Sequence, residues 1–293
     1  MKYLILLPFL WLFSLNYAIA QNNQDEIPGD HFDLQGALDL LKKSSSPEDF
    51  EKRLNEDGNL VNNLDLNNDG QVDYLRVVDN SSGDDHALVI QDMINDKESQ
   101  DVAVIEIEKT GDQQVELQIV GDEDLFASDN IAEPYDEAAP PSEQKAPNAN
   151  FSTFPIVVNV WGWPCVRFVY APIYRPWVSP WRWRVYPNWW KPWRPHPHAW
   201  FIGRRPLYSG YRYAPAVRLT RVHAVYAPHR SSSTIVRTTH KVSIDRRRQN
   251  VTVKSNRTKV ESRGNWKQHG DPHEGSNKGD RGNKGNKVRR ARR

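Results

Sequence analysis

Apolar residues recur at helical spacing over residues 32–55, where Phe32, Leu34, Ala37, Leu38 and Leu41 mark one face. Ser46-Pro47-Glu48-Asp49 supplies a second start, with Ser46 as N-cap, Pro47 at the first helical position and acids in the first turn. Phe50 and Leu54, one turn apart, share its buried face. After Gly70 the period falls to two. Segments 72–78, 87–94, 102–108 and 114–120 are short, rich in Val and Ile, and separated by polar or Gly-containing turns. Residues 79–85, and Gly111-Asp112 within 109–113, read as hairpin connections, and such short links favour antiparallel neighbours. Residues 28–130 therefore predict a small α+β domain of two helices against a four-stranded antiparallel meander. Its one-sided core is Leu75, Val77, Leu88, Ile90, Ala103, Ile105, Ile107, Val115, Leu117 and Ile119.

The pattern then breaks. Residues 133–150, with Pro134, Pro140, Pro141 and Pro147 among acids and alanines, read as a linker between an acidic α+β domain (21–132) and the C-terminal half. Residues 151–216 are Trp-, Pro- and Arg-rich, and the prolines predict irregular, extended or polyproline-type pieces. Trp181-Arg182-Trp183-Arg184, if extended, puts both indoles on one face and both guanidinia on the other. Residues 217–260 alternate again and are read as basic, extended strands. Residues 261–293 hold almost nothing apolar and read as a disordered basic tail.

Charge sharpens this division. The formal net charge is +2, yet residues 21–150 carry 32 acidic and 8 basic side chains, and residues 151–293 carry 5 and 30. No carboxylate side chain lies between Glu143 and Asp245. Two oppositely signed halves can associate within one chain or between chains.

At the N-terminus, Lys2 precedes an apolar stretch from Tyr3 to Leu15 that is too short for a stable span, and Ala18-Ile19-Ala20 fits the small-x-small cleavage rule. This predicts a signal peptide over 1–20, a mature chain from Gln21, and export to the periplasm, the outer surface or the medium; an uncleaved anchor is the alternative. No later stretch is long and apolar enough to span a membrane. Cys165 is the sole cysteine, so no internal disulfide forms, and it reads as a buried bystander.

One segment carries metal chemistry. Asp65-Leu66-Asn67-Asn68-Asp69-Gly70-Gln71-Val72-Asp73 places Asp65, Asn67, Asp69 and Asp73 at loop positions 1, 3, 5 and 9, with Gly70 at 6 and the Gln71 carbonyl at 7. It resembles the calcium loop of EF-hand and dockerin-type proteins, which wraps several oxygens around a hard cation through a sharp Gly turn. Position 12 is Arg76 rather than an acid, and a strand follows in place of a helix. Strand-flanked versions of the loop are the better likeness, and they imply a further carboxylate from elsewhere, for which Glu56, Asp57, Asp84 and Asp85 are candidates. The same residues also read as an Asp/Asn/Gly turn entering a strand without a metal. The wider 30–130 pattern, with Gly121-Asp122-Glu123-Asp124-Leu125-Phe126 after the last strand, resembles exported proteins of Bacteroidota-type bacteria, which implies a localisation and no activity.

Nine tryptophans lie between Trp161 and Trp200. Trp177, Trp181, Trp183, Trp189, Trp190 and Trp193 are candidate stacking surfaces, and Arg182, Arg184, Arg194, Arg289, Arg290, Arg292 and Arg293 candidate anion-binding groups. The alternative is that the indoles form the core of an irregular domain. His196-Pro197-His198 reads as a solvated loop rather than a metal pair. The chain has no HExxH, GxSxG, P-loop or Rossmann fingerprint. The expectation is an exported, non-catalytic binding protein engaging an anionic polysaccharide, lipopolysaccharide or extracellular nucleic acid. The alternative is a structural or assembly protein whose basic half binds an acidic protein partner, or its own acidic half, including by self-association.

Overall fold

A computed structural model describes residues 26–127, 130–136 and 158–268, with side chains up to Val253. The expected signal peptide, most of the expected linker, and the tail beyond Gln268 lie outside the described residues. The chain divides into two compact units, 1–251 and 252–293.

Helix α1 (Leu34–Lys43) starts at Asp33, whose carboxylate accepts the N–H groups of Gln35 and Gly36, and ends with Lys42 and Lys43 in its last turn. Helix α2 (Pro47–Leu54) starts at Ser46, whose Oγ accepts the N–H of Asp49 at 3.1 Å, with Pro47 at the first position. Both helices bury their apolar stripes completely.

Six antiparallel strands form one sheet in chain order: β1 (Leu75–Ser82), β2 (Asp85–Met93), β3 (Ser99–Gly111), β4 (Gln114–Gly121), β5 (Ile131–Pro134) and β6 (Tyr211–Tyr213). The β1–β2 link is a two-residue turn, Gly83-Asp84, in which Gly83 takes φ +63° at no steric cost. A bulge opposite Ile90 and Gln91 leaves Val102 without a partner on β2. It keeps Val102 in the core and pairs Gln91 with Asp101 across the strands.

The ten expected core residues all lie in one hydrophobic cluster with α1 and α2. The core is not one-sided, however. Ala87, Val89 and Val104 on the opposite face pack against Val222 and Tyr226 of α5 (Thr220–Tyr226). The meander is also longer than the expected four strands. β5 begins just before the expected linker and runs into it, and β6 comes from the Trp-rich region and pairs with β5 through Ala132–Tyr213 and Pro134–Tyr211.

Three further expectations are corrected. Residues 217–260 are not extended strands: α5 and α6 (Thr234–Gln268) occupy them, and α6 covers the start of the expected disordered tail. Trp181–Arg184 is not extended either. Arg182 pairs with Val185 across a tight turn, with Arg184 at φ +58°. Finally, the Trp-rich region is not a separate body. Short helix α3 (Pro164–Val169) inserts Cys165 and Val166 into the same core as α1, joined by Trp163, Tyr211 and Val236. Another short helix, α4 (His198–Arg204), buries Phe201. No described helix is long and apolar enough to cross a membrane.

Candidate functional site

Beside the apolar patch under α5, the second face of the sheet buries polar and charged side chains. Glu106 and Gln118, facing each other on β3 and β4, are fully buried, as is Asp101; Glu133 on β5 is 1% exposed. Buried carboxylates need donors, and the basic half supplies them. Arg218 donates to Glu133 at 2.6 Å and Glu116 at 3.0 Å, and Arg212 also donates to Glu133. Arg221 grips Asp85 with two nitrogens, at 2.8 and 2.9 Å. Arg230 does the same to Asp122 at 2.6 and 2.9 Å and reaches Asp124 at 2.8 Å. Asp101 accepts from Tyr226 Oη, Ser231 N and Gln91 Nε2. Burial raises the pKa of Asp101, Glu106 and Asp122 despite these donors. Hydrogen bonding to Asp122 raises that of Arg230. This is a clasp between the two halves of the chain, with its polar groups turned toward each other rather than toward a ligand.

The edge of β1 is covered by the Trp-rich segment. Asp79 N donates to Trp177 O at 2.7 Å, Ser179 N donates to Val77 O at 3.1 Å, and Val78 bridges Val178. Glu51 of α2 ties this together. Its Oε1 accepts from Tyr74 Oη and Ser179 Oγ, both at 2.8 Å, and its Oε2 from Val77 N at 2.8 Å and Trp177 Nε1 at 3.3 Å. Burial still lifts its pKa. Glu51 is absent from the candidates drawn from the sequence, although Pro47, Phe50, Glu51 and Leu54 at i, i+3, i+4 and i+7 place it on the buried stripe.

The six candidate stacking tryptophans separate. Trp190 is 6% exposed, edge-on to Tyr74 and Tyr186. Trp177 is held by Glu51. Trp181, Trp183 and Trp193 are half-buried, and Trp189 is 47% exposed. Arg182, Arg184 and Arg194 are exposed, as are Arg175 and Lys191, and none of the five pairs with a carboxylate among the described residues. Arg184 lies 5.1 Å over the Trp183 ring. Arg289, Arg290, Arg292 and Arg293 lie outside the described residues. Beside this segment a cleft of about 260 Å³ opens between α2 and the indoles of Trp181 and Trp189.

The 65–73 loop turns sharply at Gly70, φ +82°, as its spacing implies. Asp65 accepts from the N–H groups of Asp69 and Gly70, and Asn67 Oδ1 from Asp69 N. Asn67 Nδ2 donates to Asp73 Oδ1 at 2.6 Å, and Leu66 N to Asp73 Oδ2 at 2.5 Å. The Gln71 N–H donates to Asp69 Oδ1. These side chains satisfy the loop's own amides. Among the described residues no group of three His, Cys, Asp or Glu side chains stands where it could hold a metal ion. The further carboxylate against Asp73 is Asp92, and not Glu56, Asp57, Asp84 or Asp85. It is 1% exposed, close enough to Asp73 for the two carboxylates to interact, and its Oδ2 has no hydrogen-bond partner. The phase of β2 could have shown this, since Leu88, Ile90 and Asp92 share a face. Burial pushes Asp73 up to about 7 and raises Asp92 well above the ordinary carboxylate value.

Cys165 is fully buried, and burial drives its thiol pKa up, away from nucleophilic chemistry. The chain matches no protein-family model, no curated protein and no solved structure.

Proposed function

We propose that this is an exported, non-catalytic binding protein of the cell envelope or surface that engages an anionic polymer or surface through residues 175–194. One observation carries this reading. Six arginines of the C-terminal part, Arg205, Arg212, Arg218, Arg221, Arg230 and Arg247, are neutralised by carboxylates of the N-terminal part. Arg175, Arg182, Arg184, Lys191 and Arg194 are not, and they stand exposed among indoles. Uncompensated cations beside flat aromatic faces suit polysaccharide, lipopolysaccharide or nucleic-acid anions by charge pairing plus stacking. The competing reading, in which the basic half serves its own acidic half, describes residues 205–247 and the backbone of 177–179 on the β1 edge, and leaves the exposed cations of 175–194 without a counter-charge.

The test is binding of the full chain to heparin, to vesicles containing an anionic lipid and to DNA, across a salt series. Affinity for at least one of them falls with rising salt, and R182Q/R184Q/R194Q weakens it roughly tenfold. Absence of binding to all three at low salt removes the reading.

A second reading, favoured by the unpartnered Oδ2 of Asp92 beside Asp73, gives the 65–73 loop a weakly held calcium ion. Millimolar calcium then raises the melting temperature of the wild type and not of D73N. An unchanged wild-type melt removes the ion.

A further inference from the structure

The cleft beside α2 differs from the basic turn next to it. Its walls are the indoles of Trp181 and Trp189, and its rim is Ser46, Glu48, Asp49 and Lys52. Tyr74 and Glu51 close the floor. Glu51 already accepts four hydrogen bonds and Tyr74 Oη donates one of them, so the floor offers contact surface rather than a reacting group. At about 260 Å³ the cleft is smaller than the roughly 300–1,000 Å³ pockets that take drug-sized molecules. It is sized for one ring and its substituents.

The rim defines the ring's chemistry. Glu48 is exposed and makes no hydrogen bond or ion pair among the described residues, so it is a free acceptor. Asp49 is held below the usual carboxylate range through hydrogen bonds from Ser45 and Arg53, which outweigh its desolvation, and it stays ionised. Lys52 Nζ, 5.9 Å from the Trp189 ring centre, is a donor at the edge of the stacking surface. Acceptors opposite a donor, beside flat apolar walls, complement a ring with C–H faces and many hydroxyls. Arg53 pairs with Asp49 at 3.2 Å and Lys52 offsets Glu48, so the rim has no net charge with which to attract a ring bearing its own phosphate or carboxylate. A stacked nucleotide's phosphate likewise gains nothing at this rim. Arg182 follows Trp181 directly, so acid groups on a neighbouring unit of the same polymer meet the arginine turn.

We propose that this cleft binds a single uncharged sugar ring of a glycan whose acid-bearing neighbours are held by Arg182 and Arg184. The second half of that statement rests on the polyanion reading; the first does not.

The experiment follows tryptophan fluorescence of the full chain on titration with neutral tetrasaccharides (cello-, malto-, chito- and manno-series), with heparin and with a mononucleotide. At least one neutral tetrasaccharide perturbs the emission with a millimolar-range Kd. W189A weakens that binding roughly tenfold. E48Q, a change at an exposed position whose fold is checked by an unaltered urea midpoint, weakens it severalfold. R182Q/R184Q leaves the neutral sugar unaffected and weakens heparin. If no neutral tetrasaccharide binds up to about 10 mM while heparin does, the cleft proposal falls and the polyanion reading stands. If a neutral sugar binds and heparin does not, the polyanion reading falls instead. Neutral-sugar binding indifferent to both W189A and E48Q overturns the cleft, as does tighter binding of the mononucleotide that W189A abolishes.

Discussion

The two faces of the sheet are held by different physics. Toward α1 and α2 the contacts are apolar, drawn mainly from the N-terminal residues, and weakly sensitive to ionic conditions. Toward α5 and the 227–233 segment the covered side chains include Asp101, Glu106, Gln118 and Glu133, and their partners in the basic half, Arg218, His223 and Tyr226, lie 85 to 125 residues further on. Most of the first face comes from the N-terminal residues, with Val160, Trp163, Cys165, Val166, Tyr211 and Val236 completing it. The second leaves buried carboxylates without donors until the basic half arrives.

Four measurements test that contrast, from the largest expected effect to the smallest. Phe50 is fully buried on the apolar face, so F50A costs about 3–5 kcal/mol in urea unfolding, with the same cost at low and high salt; a salt-dependent cost contradicts the assignment. On the polar face, R230Q leaves Asp122, whose side chain is 2% exposed, without its bidentate partner. The expected loss is about 2–3 kcal/mol near neutral pH, shrinking toward pH 4 as Asp122 takes up a proton; a pH-independent loss means packing, not charge, dominates there. Between the halves, a Cβ on Gly36 would stand 2.7 Å from Val61 Cγ2 and 2.9 Å from Tyr208 Oη. G36A therefore costs about 1–2 kcal/mol by overpacking, and Y208F does not; a neutral G36A shows that Tyr208 is not seated against α1.

The smallest effect is the pH slope. Burial raises Asp101, Glu106 and Asp122 above their ordinary values, so the folded chain holds these protons longer than the unfolded one. Their contribution is complete below the unfolded pKa of about 4 and is lost as pH rises through the raised values, a tenfold difference in proton affinity being worth about 1.4 kcal/mol. The urea midpoint of D101N changes less with pH over this range than that of the wild type. Parallel profiles assign the slope elsewhere.

Much of the apolar face was legible in the sequence because helix and strand periods report burial directly. The caps at Ser46 and Pro47, all ten core positions and the first four strands follow from that signal. The second face was not, because ion pairs between residues a hundred positions apart leave no local trace: nothing near Arg218 points to Glu133. α5 was misread because Val217, Leu219, Val222 and Ala224 suit a strand by type, whereas the contact that decides its structure is Val222 with Tyr226, one helical turn apart. β6, three residues long, lacks the length to show a period. At the candidate site, the aromatic and basic composition singled out the segment that carries the uncompensated cations. Which indoles are displayed depends on Glu51 and the β1 edge, a tertiary matter.

The pairing of Pro134 with Tyr211 sets a timetable for synthesis. A chain emerging N-terminus first completes five strands long before the sixth exists, and closing so large a loop is slow. During that wait an unfinished β-sheet is a hazard for intermolecular association. The surplus of carboxylates on the waiting face makes nascent copies repel one another, so the acidity later neutralised by arginine doubles as a built-in safeguard for the half-made protein.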